Sequence, residues 1–322
     1  MYFYKCSWVI FVCCIFFSCT NHMQERIQCT LQQAGVNSCE LKRVLDHYQN
    51  QPEKLKAARF LIANMPAHRT YVGKEIDSLK RMKKESIQKG RISDEIVAHW
   101  KSFDYSSLQV VKDIDVIKAD ILIENIDLAF EAWEKRSWSK QYSFEDFCEY
   151  VLPYRIGDEP LEKWRRIYYE RYSPVLDSLY QGNDVVEAAR VMANYLKEEG
   201  FTNHTDFNLP HLGALFLLEN RVGYCRDNCD IATYVMRSLG IPITMDFYEM
   251  SPSYNSRHFW SALIDTTGLV VPFNYIEREI VREPQDERKK GKVYRTCYGI
   301  QPEKYSGLYS DKEVPAFFRR PF

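Results

Sequence analysis

The sequence lacks an excess of charge of either sign. Its 322 residues include 43 Lys and Arg against 44 Asp and Glu, a formal net charge of −1 at pH 7. A protein that binds nucleic acid through the phosphates needs a basic surface, and this balance provides no such field. The chain also contains no basic motif interleaved with aromatic residues, no internal repeat and no low-complexity linker. Nucleic acid is therefore not an expected partner.

The apolar run near the N-terminus is too short to cross a bilayer. It extends from Trp8 to Phe17, whereas a membrane-spanning helix needs ~20 apolar residues. With Lys5 before it, the run has the length of a secretory signal peptide. It ends at Ser18-Cys19, and a small residue before a cysteine resembles a bacterial lipoprotein signal. We therefore expect residues 1–18 to be a signal peptide.

Cys19 is then the expected lipid anchor, and the protein is expected to be exported to the cell envelope and held on a bacterial membrane. Ordinary cleavage of the signal and a retained N-terminal anchor are the alternatives. Export would permit disulfides, since they persist in oxidising compartments. Cys29 and Cys39 could close a short loop, although the 10 cysteines of the chain do not require that pair.

Residues 19–180 are predicted to form a mainly helical N-terminal region. "PEKLKAARFLIANM" and "DIDVIKADILIENIDLAFEAWEKR" both place apolar residues at helical spacing. "KEIDSLKRMKKESIQKG" is highly charged, and we expect its charges to form a solvated helical face. In "FEDFCEYVLPYRIGDEP" the charged residues Glu149, Arg155 and Glu159 have no nucleophile or metal cluster beside them. We interpret them as part of a packing unit.

Residues 181–322 are predicted to form a second domain of α+β class. "DVVEAARVMANYLKEEG" and "HLGALFLLENRVG" read as helices, and a third helix begins at Cys225 and ends before Gly240. Strand-like runs follow: "IPITMDFY", "HFWSALID", "GLVVPFN" and "KVYRTCYGI". Helices followed by a run of strands favour an antiparallel sheet packed on helices.

Cys225 has the position of a nucleophile. It follows Gly223 and lies in the first turn of its helix, where free backbone amides and the helix dipole favour a thiolate. Cys229 lies one turn deeper among apolar residues and is expected to be a small core residue. A structural zinc site requires four ligands at recognisable spacing. Because this pair falls short of that pattern, we expect no metal and no other cofactor.

A nucleophilic cysteine needs a base and a group that orients the base. His258 begins a predicted strand, and the turn "DTTG" sends the chain back through "LVVPFN". The return strand comes level with His258 near Asn274 or Tyr275, with one residue of uncertainty in register. Asn274 can offer a carbonyl oxygen to the imidazole N–H, whereas Asp265 in the turn lies too far along the strand. Cys225, His258 and Asn274 are the candidate catalytic residues.

The motifs "GYCRDNCDIATYVMRSLGIP", "RHFWSALID" and "GLVVPFN" resemble those of the transglutaminase-like superfamily, whose core is shared with papain-type cysteine proteases. The resemblance covers the last third to 45% of the chain. It implies that Cys225 is the nucleophile before the Arg-x-Leu-Gly-Ile-Pro stretch and that His258 belongs to the His-x-Trp motif. The family's aspartate is absent, and Asn274 stands at its place. Segments of the helical region are also similar to predicted lipoproteins of Bacteroides-type bacteria.

The function expected from these residues is that of an exported cysteine enzyme that acts on amide bonds of peptides or proteins through a thioester. Hydrolysis and transfer to an amine share this chemistry, and the sequence does not choose between them. The alternative is a non-catalytic binding module of the same fold at the cell surface. It is supported by the missing aspartate and by the aromatic content of 14%. Nothing in the sequence predicts the oligomeric state.

Overall fold

The computed structural model describes residues 22–88, 98, 108–203, 210–250, 257–283 and 291–301. Cys19 and the predicted signal peptide lie outside these residues. Within them, no helix is long and apolar enough to cross a membrane. The class is α+β, as expected from the order of the helical and strand-like segments.

The described residues of the first half are mainly helical, with one short antiparallel pair of strands. Residues 22–33 form helix α1. The helices that follow are α2 (Ser38–His47), α3 (Pro52–Asn64), α4 (Lys74–Gln88), α5 (Asp113–Val116), α6 (Ala119–Lys135) and α7 (Phe144–Tyr150). Strands β1 (Arg69–Val72) and β2 (Gln109–Lys112) pair antiparallel on either side of α4. Apolar side chains of α2, α3, α6 and α7 share one buried cluster.

In the second half, the residues that the structure describes form four helices and the main sheet. The helices are α8 (Trp164–Leu179), α9 (Val185–Glu199), α10 (Ala214–Asn220) and α11 (Cys225–Ser238). Strands β3 (Thr202–Asn203) and β4 (Val222–Gly223) form a short parallel pair. The sheet consists of β5 (Ile243–Tyr248), β6 (His258–Ile264), β7 (Val270–Phe273) and β8 (Tyr294–Arg295). Its order is β7-β6-β5-β8, and every neighbouring pair is antiparallel.

Helix α11 lies at the centre of the second half. It packs against β5 and β6 on one side and against α8 on the other. Residues 226–238 are all buried, including the charged residues of its first two turns. The helix ends as the sequence predicts: Gly240 adopts a left-handed conformation with φ of +71°. The Ile241 N–H then donates to the Met236 carbonyl at 2.9 Å, a bond typical of a glycine C-cap.

The charged residues of "YVLPYRIGDEP" serve packing, as interpreted from the sequence. Arg155 binds both carboxylate oxygens of Asp113, each at 2.5 Å, and both side chains are 1% exposed. The Glu159 carboxylate accepts from the N–H groups of Ile156 and Gly157. Backbone N–H groups in residues 298–299 donate in the same way to Glu149. The Arg155 and Glu149 contacts connect segments that are distant in sequence, whereas the Glu159 contacts are local.

One expectation about α4 is wrong. Its charges were expected to form a solvated face, and Arg81, Lys84 and Glu85 are indeed exposed. Lys83, however, is completely buried. Its ammonium lies 3.6 Å from a carboxylate oxygen of Asp227 in helix α11. A charged helical pattern predicts that most of the charged residues contact water, but it does not predict the exposure of each one. Lys83 is buried because α4 packs against α11 at this position.

Candidate active site

Cys225 is the first residue of α11 and is half-buried. The preceding Gly223 has no side chain, and a Cβ there would lie 2.3 Å from the Asp227 side chain. This close approach lets an Asp227 oxygen accept the Tyr224 N–H at 3.0 Å, which caps the start of the helix. The position of the Cys225 thiol is therefore fixed by the short strand before it and by the Asp227 carboxylate, which caps the helix.

Opposing groups act on the ionisation of Cys225. Burial raises the pKa of its thiol above the usual range, and the nearby Asp227 carboxylate acts in the same direction. The backbone N–H groups of Phe259 and Arg226 hydrogen bond to the sulfur and act to lower this pKa, as does the Arg226 charge. The net pKa is raised. The helix start thus supplies donors to the sulfur but does not by itself produce a thiolate at neutral pH.

Cys229 is buried, as expected for a core residue. It forms a small apolar cluster with Met245 and Phe259, against which Cys225 and Tyr224 pack. Burial raises the pKa of the Cys229 thiol well above its ordinary value. The two cysteines therefore differ in environment: one lies at the surface end of the helix, and the other is enclosed between the helix and the sheet.

His258 is the first residue of β6 and lies opposite Tyr248 of β5. Its ring centroid is 5.7 Å from that of Tyr248 and 6.0 Å from that of Trp260. Side chains alternate along a strand, so His258 and Phe259 point to opposite faces of the sheet. The Phe259 backbone N–H reaches the Cys225 sulfur, and the His258 ring lies beside the rings of Tyr248 and Trp260.

Asn274 is buried directly after β7. Its side-chain oxygen accepts from the backbone N–H groups of Ile276 at 3.0 Å and Glu277 at 3.4 Å. These bonds close the turn that follows the strand. Because Ser261 is level with Phe273, continuing the register by one residue places Trp260 level with Asn274. Asn274 is therefore level with Trp260, two residues along β6 from His258.

A buried group of charges beneath Cys225 was not anticipated from the sequence. Asp230 binds His211 Nδ1 at 2.7 Å, and the backbone N–H of His211 donates to Asp158 at 2.8 Å. Arg226 Nη2 lies 3.7 Å from the Asp227 carboxylate, and its guanidinium lies over the Tyr224 ring at 5.0 Å. The segment "YCRDNCD" carries three charged residues on the side of the helix that its apolar stripe does not cover. An amphipathic pattern alone predicts that such a side faces solvent. Helix α11 is covered on that side as well.

His211 carries a raised pKa, although burial and Arg226 oppose its protonation. The carboxylates of Asp230 and Asp158 outweigh these effects. Within the described residues no group of three or more His, Cys, Asp or Glu side chains is arranged to hold a metal ion. Cys29 and Cys39 are both free and exposed. Around Cys225 the structure places backbone N–H donors to the thiol, and His258 directly precedes one of these donors, Phe259.

No family model matches the sequence, and no curated protein matches it. Among solved structures, a candidate cysteine protease from Cytophaga hutchinsonii aligns with 42% of this chain at 12% identity and a TM-score of 0.28. The alignment covers 50% of that protein, so this chain spans half of its length. Because a TM-score this low does not establish a shared fold, the chemistry of the site must be argued from its own residues.

Proposed function

We propose that this protein is a cysteine enzyme that acts on amide bonds of peptides or proteins through a thioester. The observation that carries the proposal is the setting of Cys225. Its sulfur lies half-buried at the start of α11 and accepts a hydrogen bond from the N–H of Phe259, the residue that follows His258. The transglutaminase-like motifs around Cys225 and His258 support the same assignment of roles.

In the proposed reaction His258 takes the proton of the Cys225 thiol, and the resulting thiolate attacks the carbonyl carbon of the substrate amide and forms a C–S bond. The C–N bond then breaks, and His258 passes a proton to the departing amine. Backbone N–H groups at the start of α11 stabilise the oxyanion that forms between these steps. Water attacks the thioester to give a carboxylic acid, or an amine attacks it to give a new amide, and either step restores the thiol.

A second candidate is a non-catalytic binding module. Two observations favour it: the Asn274 oxygen is bonded to the backbone of its own turn, and burial raises the pKa of the Cys225 thiol. An orienting residue that is occupied elsewhere and a thiol that stays protonated would both reduce turnover. This candidate binds peptides or proteins at the same surface without forming a thioester.

Cleavage and amine-transfer assays on a peptide library separate the two candidates. We expect Cys225→Ala to lower product formation at least about a thousandfold, because removal of a nucleophile removes the covalent route. His258→Gln should also be strongly impaired. Cys229→Ala is the matched control, since it removes a thiol one turn deeper, and it should keep activity to within about tenfold.

Two results would overturn the enzyme proposal. One is unchanged turnover in Cys225→Ala. The other is absence of any product, together with a Cys225 thiol that alkylates no faster than free cysteine at neutral pH. Peptide binding retained by Cys225→Ala under that second result would support the binding module.

A further inference from the structure

Lys83 is fully buried, although most of the charged residues that the structure describes in α4 are exposed. It belongs to α4, far in sequence from the candidate nucleophile, and is 0% exposed. Burying an ammonium is costly unless it is paired with an opposite charge. Burial lowers the pKa of Lys83, while the nearby carboxylates of Asp227 and Asp230 favour its charged form. Burial and the Arg226 charge lower the pKa of Lys83 overall, so its charged form depends on these carboxylates.

The partner of Lys83 is Asp227, two residues after Cys225. The ammonium is 3.6 Å from Asp227 Oδ2, and the Asp227 side chain is 1% exposed. That same oxygen accepts the Tyr224 N–H and caps α11. The buried ion pair and the helix cap thus share one carboxylate. Lys83 is in this way connected to the backbone that presents the Cys225 thiol.

Among the groups that the structure describes around Asp227, the charges balance when Lys83 is counted with them. The first two turns of α11 carry two carboxylates, Asp227 and Asp230, and one guanidinium, Arg226. The other described groups near them are Tyr224 of the helix cap, His211, which binds Asp230 and has a raised pKa, and Asp158, which accepts from the backbone of His211. Without the ammonium, an excess negative charge would remain two residues from the sulfur, and a like charge disfavours a thiolate.

We propose that Lys83 is a positioning residue for Cys225: its ammonium neutralises Asp227 and so favours the thiolate at the start of α11. The inference rests on the proposed function, because it takes Cys225 to be the nucleophile. It assigns the helical N-terminal region a part in the chemistry, since that region supplies the cation. The region then does more than extend the fold.

The test is the pH dependence of Cys225 alkylation by iodoacetamide in the full chain, followed by peptide mass spectrometry. For Lys83→Met we expect the midpoint of the pH profile of Cys225 alkylation to rise by about one pH unit. The rate of Cys225 alkylation at pH 7 should then fall about tenfold. Cys29 and Cys39 are exposed, and their unchanged rates provide an internal reference. Lys84→Met is the matched control, because it removes an exposed charge from the adjacent position.

The double variant Lys83→Met, Asp227→Asn removes both charges and keeps an oxygen that can cap the helix. We expect it to return the midpoint to the wild-type value or below, which loss of packing alone would not do. Asp227→Asn by itself leaves the cations in excess and should lower the midpoint; this variant decides the matter if Lys83→Met does not fold.

An unchanged midpoint in Lys83→Met, or no return in the double variant, would overturn the inference. So would an unchanged midpoint in Asp227→Asn. Alkylation requires no peptide substrate, so these results are independent of whether the protein turns over peptides. A protein without peptide activity could still show the Lys83 effect, and an active one could lack it.

Discussion

Single residues set the electrostatics of this protein, because several charged side chains are buried and depend on the groups that they contact. Arg155 and Asp113 are the clearest pair: both side chains are 1% exposed and two hydrogen bonds join them. The Tyr154 hydroxyl donates to the same carboxylate at 2.8 Å. A buried pair of this kind contributes little when both partners are present, but loss of one partner leaves the other charge without compensation.

For Arg155→Met we therefore expect the free energy of unfolding to fall by about 3–5 kcal/mol. Urea denaturation followed by circular dichroism measures the change. The double variant Arg155→Met, Asp113→Asn removes the remaining charge and should recover part of the loss. If the double variant is no more stable than Arg155→Met, the uncompensated charge is not the cause.

At the scale of elements, α11 is positioned by its two ends. Its beginning is fixed by the cap at Asp227, and its end by Gly240, whose φ of +71° favours glycine. A Cβ at Gly240 would also lie 2.8 Å from the backbone carbonyl oxygen of Ala132 in α6. The end of the helix is therefore packed against a backbone that cannot move as a side chain can.

Gly240→Ala should lower the free energy of unfolding by about 2 kcal/mol or more, because strain in φ adds to a backbone clash. Gly268→Ala is the matched control: Gly268 has φ of +80°, and a Cβ added there would meet no atom within 4 Å. Gly268→Ala should lower the free energy of unfolding by only about 1 kcal/mol. Equal losses in urea denaturation would show that the contact with Ala132 has no part in the effect.

At the scale of the whole molecule, residues 291–301 connect the sheet with the helical N-terminal region. Tyr298 stacks on His68 with ring centroids 4.2 Å apart, and its hydroxyl donates to the Leu61 carbonyl at 3.2 Å. The Ile300 N–H donates to Asn64 at 2.8 Å. These contacts join residues more than 200 positions apart, so they form only when the two halves of the chain are folded together.

His68 makes this connection sensitive to acid. Burial lowers its pKa to about 4, from an ordinary value of 6.5. The unfolded chain therefore binds the proton first as the pH falls, and stability present above pH 6.5 is lost between about pH 6.5 and pH 4. The loss approaches about 3 kcal/mol at the lower limit.

Urea denaturation at a series of pH values tests this expectation. His68→Phe keeps an aromatic ring against Tyr298 without a titrating group, and it should remove most of the loss over that pH window. His47→Phe is the control, because it removes a histidine from the end of α2. A wild-type profile that stays flat from pH 6.5 to pH 4 would contradict the prediction.

The sequence by itself determined the α+β class, the helix that begins at Cys225 and ends before Gly240, and the burial of Cys229. These are local properties: apolar spacing, a glycine C-cap and a run of short strands are encoded within a few residues of one another. The difference in burial between Cys225 and Cys229 is also a local property, because the two cysteines lie one helical turn apart.

Only the tertiary structure decided which charges are buried and which partners they have. Lys83 and Asp227 are separated by more than 100 positions, and nothing in the pattern around either one indicates the other. Packing also determined the strand register, which places Asn274 level with Trp260, and the position of the His258 ring beside Trp260. The bonds of the Asn274 oxygen that close its turn likewise depend on the folded chain. The spacing of apolar residues and the local composition determine whether a segment forms a helix or a strand. Strand register and the burial of charges depend on which distant part of the chain packs against that segment.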